Sequence, residues 1–304
     1  MAIYPMIGVI PAMNTPFLDD GSIDVDGLQK HVEYAVSSGV AGLLAPCVAG
    51  EDTFMTMEER DLVLAATREA VNGRVPVFAS GNAETVEDCV RITKRLVSGG
   101  IDGVMIHPPR YEGPEQFAQF YRDIAALGPK AIMVQDLDVT GPGLPVEVLL
   151  NTWGELPQYV SLKVETQMSG PKYRAVIEAT GGQLHVCGGW GITQYIEALD
   201  RGVHGMVPTG MHEIFCKLDS LYRSGKREQS LKLFLKVQPV ACFANQSQDW
   251  SVYFYKRLLW RQGYFKTPAI RRNFRPDSVY ERLADDYIDY TIQLARDVRA
   301  GLYD

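Results

Sequence analysis

Residues 75–109, VPVFASGNAETVEDCVRITKRLVSGGIDGVMIHPP, contain the repeating unit that decides the fold. The segment begins with a short apolar run, VPVFAS (75–80), and ends with a second one, GVMIHPP (103–109). Between them, TVEDCVRITKRLVSGG (85–100) has helical periodicity, with Thr85 as the expected N-cap and glycines at the end. Strands that are joined by a helix run parallel. The segment therefore predicts one β-α-β unit of a parallel sheet.

The same unit recurs along the chain. The eight short runs rich in Val, Ile and Met are IGVIPAM (7–13), GLLAPC (42–47), VPVFAS (75–80), GVMIHPP (103–109), AIMVQD (131–136), VSLKVET (160–166), LHVCGG (184–189) and GMVPTG (205–210). Further helical patterns cover residues 24–39, 56–73 and 113–128, with a capping box expected at Thr56 and Pro114 expected at a helix start. Eight such units match a (β/α)8 barrel, which typically has about 250 residues.

A doubly wound α/β sheet would also alternate strands and helices. It usually carries a glycine-rich phosphate loop after its first strand, whereas here the first run leads into NTPFLDDG (14–21). We therefore predict an α/β fold with a (β/α)8 TIM barrel in residues 1–225. Residues 226–304 are expected to form a C-terminal helical extension packed on the barrel, because their aromatic residues recur at helical spacing.

Composition excludes several classes of protein. The chain has 304 residues, of which 46% are hydrophobic, enough for a full globular core, and its formal charge is −7. Nucleic-acid binders are usually basic, and the densest basic run, IRRNFR (270–275), is interpreted as a solvated loop. No apolar run approaches the roughly 18–20 residues of a membrane helix, and the N-terminus lacks a signal-peptide pattern.

The cysteines and histidines do not predict a metal site. The five cysteines form no CxxC pair, which favours a reduced, cytoplasmic protein. The five histidines are scattered, and the nearest pair in sequence is His204 and His212. A metal site needs clustered ligands, so we interpret the histidines as ordinary structural residues.

The strand YVSLKVET (159–166) places a lysine where a core residue is expected. Ser161, Lys163 and Glu165 share one face of this strand because side chains alternate. In such barrels the catalytic residues lie at the carboxyl ends of the strands. Burial of an amine favours its neutral, nucleophilic form, and such lysines form Schiff bases with ketones. Two other interpretations stay open, namely a lysine on a frayed outer edge and a lysine that only pairs with Glu165.

Several motifs together resemble the dihydrodipicolinate synthase/N-acetylneuraminate lyase family of class I aldolases and dehydratases. They are NTPFLDDGSID (14–24), a Gly-Glu pair at 50–51 before MTMEER (55–60), GRVPVFASG (73–81), GGIDGVMIHPPRYEGP (99–114) and the lysine strand. The register agrees over residues 5–225, and the C-terminal helices fit as well. The resemblance implies that Lys163 forms a covalent imine with a small 2-keto acid. It also implies that no cofactor or metal takes part, and that the protein is a homotetramer built as a dimer of dimers, whereas the absence of nucleic-acid and membrane partners is expected from composition.

The chain departs from the family at positions near the substrate. Val48 and Ala49 replace the hydroxyl residues that bind the keto-acid carboxylate, so backbone N–H groups are expected to bind it instead. Val134 stands where the family has a tyrosine that relays protons beside the imine. Arg110 replaces the first of two tyrosines and is a candidate for binding the carboxylate, although a plain surface arginine fits equally. Tyr111, the second tyrosine, is kept, and in the family it often reaches into a neighbouring subunit's site.

One branch of the family resembles the chain more closely, namely the 2-keto-3-deoxy-L-arabonate dehydratases. The shared features are MVQD (133–136), a Lys-Val-Glu-Thr run (163–166) and a tryptophan after the seventh strand, Trp190. Asp136, Trp190 and Val207 complete the predicted substrate-binding residues.

The resulting hypothesis is a dehydratase acting on a 2-keto-3-deoxy sugar acid. Lys163 attacks the C2 ketone, and Glu165 and Tyr111 carry protons during loss of the C4 hydroxyl as water. Alternatively, Glu165 only holds Lys163 or caps a loop. Glu51 is interpreted as fixing its own loop by hydrogen bonds. Two other functions stay open, namely a pyruvate-dependent aldolase or condensing enzyme and a non-catalytic keto-acid-binding homologue.

Overall fold

The computed structural model describes residues 6–189 and 192–303, and their strands form a single eight-stranded parallel sheet. The strands are β1 (Gly8–Val9), β2 (Leu43–Leu44), β3 (Val77–Ser80), β4 (Gly103–Ile106), β5 (Ile132–Asp138), β6 (Tyr159–Thr166), β7 (His185–Gly188) and β8 (Gly205–Met206). Their order is β1-β8-β7-β6-β5-β4-β3-β2. Backbone hydrogen bonds such as Ala41 N–H to Val9 O at 2.7 Å and Leu44 N–H to Pro11 O at 3.0 Å join β1 to β2. The ring closes, and the predicted (β/α)8 barrel is confirmed.

Each strand is followed by a helix. These helices are α1 (Val25–Ser37), α2 (Met57–Val71), α3 (Val86–Ser98), α4 (Pro114–Ala125), α5 (Val146–Glu155), α6 (Gly170–Ala179), α7 (Tyr195–Asp200) and α8 (His212–Arg223). The caps expected from the sequence are present. Thr56 and Glu59 form a capping box, the Thr85 side chain accepts the N–H of Asp88, and Pro114 begins α4.

Three helices follow the barrel, α9 (Arg227–Ala244), α10 (Gln248–Arg261) and α11 (Ser278–Arg299). Buried side chains of this extension, such as Leu233 and Phe254, belong to the same hydrophobic core as Val134 and Leu162 of the barrel. The extension is therefore packed on the barrel as expected. The domain boundary at residue 226 stays a prediction, because the two parts share one core.

Alternate side chains of the strands fill two layers. One set packs between the sheet and the helices. The other fills the barrel interior and comprises Met6, Ile10, Leu44, Cys47, Phe78, Met105, Ala131, Met133, Cys187 and Val207. The barrel is thus a packed core rather than a pore, and polar groups above this apolar floor lie at the carboxyl ends of the strands.

One interpretation of polar residues is wrong. The basic run is not a solvated loop, because the side chains of Arg271 and Arg272 are only 19% and 9% exposed. Arg271 forms an ion pair with Glu59, and Arg272 forms one with Asp249. These acidic partners compensate the two guanidinium groups for their loss of contact with water. The histidines also cluster, as described next.

His31 and His212 lie far apart in sequence but form a buried pair between α1 and α8. Their Nε2 atoms are 2.9 Å apart, and the rings stack with centroids 5.1 Å apart. His31 Nδ1 lies 3.2 Å from the carbonyl oxygen of Asn14, which can only accept, so Nδ1 of His31 carries the proton. His212 Nε2–H then donates to His31, and both rings are neutral. The histidines are structural as expected, but the nearest pair in sequence is not the pair that meets in space.

Candidate active site

Lys163 points into the barrel near the carboxyl end of β6. Its neighbours in register are Gln135 on β5 and Cys187 on β7. The residue is 6% exposed, and its Nζ atom lies 2.8 Å from Oε2 of Glu165. The interpretation of Lys163 as a lysine on a frayed outer edge is therefore wrong. The ion pair with Glu165 is present, in a position that shields both groups from solvent.

Glu165 reaches Lys163 because the neighbouring strand leaves space for its carboxylate. A Cβ atom at Gly189, directly after β7, would overlap with Oε1 of Glu165. Glycine is therefore required at position 189 for the present position of this carboxylate. Tyr173 is buried beside the strand and lies 3.4 Å from the carbonyl oxygen of Val164, to which its hydroxyl donates.

A chain of hydrogen bonds extends from Glu165 across the sheet. Gln135 Nε2 donates to Glu165 Oε2 at 2.7 Å, and Asn82 Nδ2 donates to Gln135 Oε1 at 2.9 Å. The backbone N–H of His107 donates to Asn82 Oδ1 at 2.9 Å. Because a backbone N–H can only donate, it fixes the orientation of both amides. Glu165 thus accepts hydrogen bonds from Lys163 and Gln135, which favours its ionised form.

A cavity of about 290 Å³ adjoins this network, near the lower limit for small-molecule sites. Gln135 belongs to both the network and the cavity lining. His107 also lines the cavity, and its Nδ1–H donates to Pro108 O at 3.0 Å, which leaves Nε2 as an acceptor. Burial lowers the pKa of His107, so its ring is neutral at physiological pH.

Tyr111 lines the same cavity. It is 42% exposed and packs edge-on against Phe117, with ring centroids 5.5 Å apart. Partial burial, followed by the charges of Asp136 and Asp138, raises the pKa of Tyr111. The phenol is therefore protonated at neutral pH and is able to donate a proton or a hydrogen bond into the cavity.

The loop after β2 lies on another side of Lys163. Val48–Gly50 forms a short 3-10 helix whose N-cap is Cys47. The charge of Lys163 acts on the Cys47 thiol, although burial dominates and raises the pKa of Cys47 to about 12. The N–H groups of Val48 and Ala49 lie in the first turn, where amides have no acceptor within the helix.

Contacts with the end of β1 hold this loop. Asn14 Nδ2 donates to Ala49 O at 2.7 Å. A Cβ atom at Gly50 would lie 2.7 Å from Thr15 Oγ1 and 2.8 Å from Met13 O, so only glycine allows this approach. Glu51 follows and is fully buried, where Lys256 and two backbone amides donate to its carboxylate. Glu51 thus fixes its loop by hydrogen bonds, as predicted.

Two residues of the fifth strand face away from Lys163. Val134 lies in the layer between sheet and helices, and Gln135 is the residue beside the amine. Asp136 forms an ion pair with Lys172 of α6 and accepts the N–H of Leu144 at 2.8 Å. The structure therefore does not bring Asp136 into the hydrogen-bonded network of Lys163, although Asp136 lines the 290 Å³ cavity together with Tyr111 and Gln135.

The remaining predicted residues lie in different surroundings. Val207 is buried in the barrel interior with Cys187 and Ile10. Arg110 is exposed at the start of the loop after β4. Trp190 lies outside the described residues.

The sequence indicated no role for the residues that orient Glu165, namely Asn82, Gln135, His107 and Gly189, beyond their position toward the carboxyl ends of strands. Asn82, His107 and Gly189 follow β3, β4 and β7, and Gln135 lies within β5. Within residues 6–189 and 192–303, no group of three His, Cys, Asp or Glu side chains is placed to hold a metal ion. The helices of this described part are also too short or too polar to span a membrane.

A second, larger cavity of about 670 Å³ lies between α1, α8 and α11. Its lining includes Tyr34, Glu213 and Arg299 but neither Lys163 nor Glu165. The lining of the smaller cavity does not include Lys163 or Glu165 either, but its lining residue Gln135 donates to Glu165, the ion-pair partner of Lys163. We place the candidate site at the smaller cavity because of this connection.

Residues 5–277 match the model of the dihydrodipicolinate synthetase family. The chain belongs to this family. It is 28% identical over 242 residues to the 4-hydroxy-tetrahydrodipicolinate synthase of Methanosphaerula palustris, covering 77% of this chain and 82% of that one. It is 26% identical over 238 residues to the enzyme of the same name from Bacillus subtilis, covering 76% and 81%.

Solved structures share the fold of this dihydrodipicolinate synthetase family member. The 4-hydroxy-tetrahydrodipicolinate synthase of Methylacidiphilum fumariolicum superposes with a TM-score of 0.86 at 20% identity, covering 97% of this chain and 98% of that one. A catalytic lysine mutant of the Ruminococcus gnavus sialic acid aldolase superposes with a TM-score of 0.87 at 18% identity, covering 98% and 100%. Members of the family act through a covalent imine between a lysine and pyruvate and use no metal cofactor.

Proposed function

We propose that the protein is a Schiff-base-forming hydro-lyase that dehydrates a 2-keto-3-deoxy sugar acid of the L-2-keto-3-deoxyarabonate type. The observation that carries this proposal is the carboxylate of Glu165, 2.8 Å from the Lys163 amine and held by Gln135. Dehydration next to an imine needs a base at C3 and an acid at the leaving hydroxyl. A carboxylate at this distance from the imine nitrogen suits both transfers. The likeness to the dehydratase branch in MVQD and Lys-Val-Glu-Thr supports the same choice.

Imine formation begins with attack of the Lys163 Nζ atom on the C2 ketone. Glu165 accepts a proton from the amine, which frees the electron pair that forms the C–N bond. The former ketone oxygen takes up the two protons that the amine has lost, one of them returned by Glu165, and leaves as water. A protonated imine and the Glu165 carboxylate remain. The apolar floor of the barrel below Lys163 keeps bulk water away from this intermediate.

Water elimination follows from the electron withdrawal of the protonated imine. The C3–H bond breaks, its proton passes to Glu165, and its electron pair forms the C2–C3 double bond of an enamine. The enamine then expels the C4 hydroxyl, which takes a proton from Glu165 or Tyr111 and leaves as water. In the resulting conjugated imine a proton leaves C5 and another adds to C3, and the enol formed in this way becomes the C5 aldehyde. Hydrolysis of the imine then returns the Lys163 amine and releases the semialdehyde.

The substrate carboxylate needs donors beside Lys163. The N–H groups of Val48 and Ala49 supply them in the absence of the family's hydroxyl side chains. Arg110, exposed close to Tyr111 in the chain, is a further candidate for this carboxylate. Val207 contributes to the floor of the site.

Borohydride trapping tests the imine. Pyruvate or a 2-keto-3-deoxy acid should give a reduced adduct on Lys163, and Lys163→Ala should lose it. Lys172→Ala is the matched control, because it removes another partly buried, ion-paired lysine next to the barrel and should leave the adduct intact. Absence of an adduct in the wild-type protein would favour the non-catalytic keto-acid-binding homologue.

Product analysis separates dehydration from carbon–carbon chemistry. A semialdehyde formed without free pyruvate identifies the dehydratase. The second candidate is a pyruvate-dependent aldolase or condensing enzyme, which is favoured by the names of the Methanosphaerula and Bacillus relatives. Release of pyruvate from the sugar acid, or condensation of pyruvate with an aldehyde, would support that candidate and contradict the dehydratase.

A further inference from the structure

A fully buried ion pair joins the C-terminal extension to the loop after β2. Lys256 of α10 and Glu51 both have side chains that are 0% exposed, and Lys256 Nζ donates to Glu51 Oε1. The other carboxylate oxygen accepts the backbone N–H groups of Arg271 at 2.8 Å and Arg272 at 3.0 Å. Lys256 Nζ also donates to Ala269 O at 3.0 Å. Glu51 is therefore held entirely by the extension.

Burial of two charged groups costs free energy because they lose their hydration, and several contacts compensate this loss. Desolvation lowers the pKa of Lys256 to about 8, although the charge of Glu51 opposes this shift. The Lys256 ammonium also lies 3.9 Å from the ring centroid of Phe17, a favourable position for a cation. A buried charge that loses its partner is strongly destabilised, and each member of the pair thus fixes the position of the other.

The backbone of Glu51 is also in an unusual conformation. Its φ of 62° and ψ of 36° lie in the left-handed region, which residues other than glycine seldom adopt. Such a conformation persists only where the surroundings hold it. Here it directs the chain from one 3-10 turn, Val48–Gly50, into the next, Asp52–Phe54.

A second contact from the extension reaches the loop directly. The Arg272 guanidinium lies 3.4 Å from the Val48 carbonyl oxygen and donates to it. The same guanidinium donates to Asp249 of α10 at 2.6 Å, which anchors it. Contacts from the extension thus reach the Val48 carbonyl, which lies between the N–H groups of Val48 and Ala49, and the side chain of Glu51, two residues after Ala49.

We propose that the C-terminal extension positions the substrate-carboxylate loop, with Lys256 as the positioning residue. The inference rests on the proposed function, in which the amides of Val48 and Ala49 bind the keto-acid carboxylate. Lys256 touches neither the substrate nor Lys163. It acts through Glu51, and it should change the concentration of keto acid needed for imine formation more than the rate of later steps.

Lys256→Met tests this role, because it keeps the length of the side chain and removes its charge. Hydrogen exchange of peptides that cover residues 47–54 should become faster, while exchange of the β5 and β6 strands stays unchanged. The half-saturating pyruvate concentration for borohydride trapping should rise by about tenfold or more, since small displacements of a binding group are costly. The amount of adduct at saturation should stay close to that of the wild-type protein.

Arg257→Gln is the matched control. Arg257 neighbours Lys256 on α10, but it pairs with Asp285 of α11 at 2.9 Å and does not contact the loop. This variant should leave both the exchange of residues 47–54 and the half-saturating pyruvate concentration unchanged. An equal effect of the two variants would overturn the proposal, because general loosening of α10 would then explain both.

Other outcomes overturn the proposal or separate it from the proposed function. The proposal would be contradicted if hydrogen exchange of residues 47–54 in Lys256→Met were as slow as in the wild-type protein. It would also be contradicted if exchange became faster while the half-saturating pyruvate concentration stayed unchanged. If Lys256→Met does not fold, the double variant Glu51→Gln/Lys256→Met replaces it, because it removes both buried charges. A loop that stays protected from exchange in the double variant, with the pyruvate dependence of the wild-type protein, would also contradict the proposal. A wild-type protein without any imine refutes the proposed function, while the exchange measurement still decides whether Lys256 holds the loop.

Discussion

At the scale of single residues, Glu165 carries most of the proposed chemistry. Its carboxylate accepts from Gln135 and pairs with Lys163, so it is directed at the amine before substrate arrives. Glu165→Gln keeps the shape of the side chain but cannot take a proton. We expect the imine still to be trapped by borohydride, while the dehydration rate falls by about 10²–10⁴-fold.

Steady-state rates and adduct formation should be measured on the same preparation of this variant. Glu155→Gln is the control, because it removes a surface carboxylate that pairs with Arg122 and should leave both unchanged. Normal turnover of Glu165→Gln would show that Glu165 only holds Lys163 and would refute the mechanism.

Gly189 supports Glu165 by the absence of a side chain. A methyl group at this position would overlap with the carboxylate, so Gly189→Ala should displace Glu165 and reduce dehydration. Overpacking should also lower the free energy of unfolding by about 1–3 kcal/mol. Gly154→Ala in α5 is the matched control, because a Cβ atom there meets no atom within 4 Å and should stabilise the helix by up to about 1 kcal/mol. Urea unfolding measures the free energy of unfolding of the two variants, and kcat measures their dehydration activity. Full activity of Gly189→Ala would contradict the steric argument.

At the scale of elements, one polar chain connects the ends of four strands. His107, Asn82, Gln135 and Glu165 follow or belong to β4, β3, β5 and β6, and each bond fixes the orientation of the next. Asn82→Asp removes the donor to Gln135 without changing the shape of the side chain. An oxygen would then face Gln135 Oε1, and the Gln135 amide could no longer donate to Glu165 without losing another bond.

We expect Asn82→Asp to lower kcat by about tenfold, since an unsatisfied buried polar group costs about 1–3 kcal/mol. Imine trapping at Lys163 should remain. Asn151→Asp, on the exposed surface of α5, adds the same charge and serves as the control. A wild-type kcat in Asn82→Asp would show that the chain is not needed to orient Glu165.

Local signals explain which elements could be predicted from the sequence. The capping box at Thr56 and the N-cap at Thr85 involve residues only three positions apart, and strand alternation placed Lys163 and Glu165 on one face. The phase of the fifth strand was harder to judge. A shift of the strand by one residue moves every side chain to the other face of the sheet. The family motif places the proton-relay tyrosine at Val134, but in the barrel the residue beside Lys163 is Gln135.

Contacts between distant segments could not be predicted from one sequence. Glu51 and Lys256 are 205 residues apart, and His31 and His212 are 181 apart. No periodicity links such positions, because their contact depends on how the closed barrel and the extension pack together. The burial of the basic run 270–275 could not be predicted for the same reason, since its acidic partners Glu59 and Asp249 lie in other segments of the chain.

At the scale of the whole molecule, buried histidines predict how stability depends on pH. Desolvation lowers the pKa of His31 and of His185 from 6.5 to about 4, and it lowers the pKa of His212 well below 6.5. His185 is held between Ser161 at 2.7 Å and Met6 O at 2.9 Å, where protonation would disturb the barrel interior. These rings are therefore neutral in the folded protein.

The unfolded chain binds protons on these histidines below about pH 6.5, while the folded chain does not until about pH 4 for His31 and His185. The free energy of unfolding should therefore decrease as the pH is lowered through this window, by up to about 1.4 kcal/mol per pH unit for each histidine. Desolvation raises the pKa of the buried carboxyls of Asp52 and Asp136, and these groups act with the opposite sign. Urea unfolding at about pH 7 and about pH 5 measures the sum, and NMR of the ring protons should show His31 and His212 unprotonated at the lower pH. A His31 or His212 ring that is protonated in the folded protein at about pH 5 would contradict neutral burial of these rings.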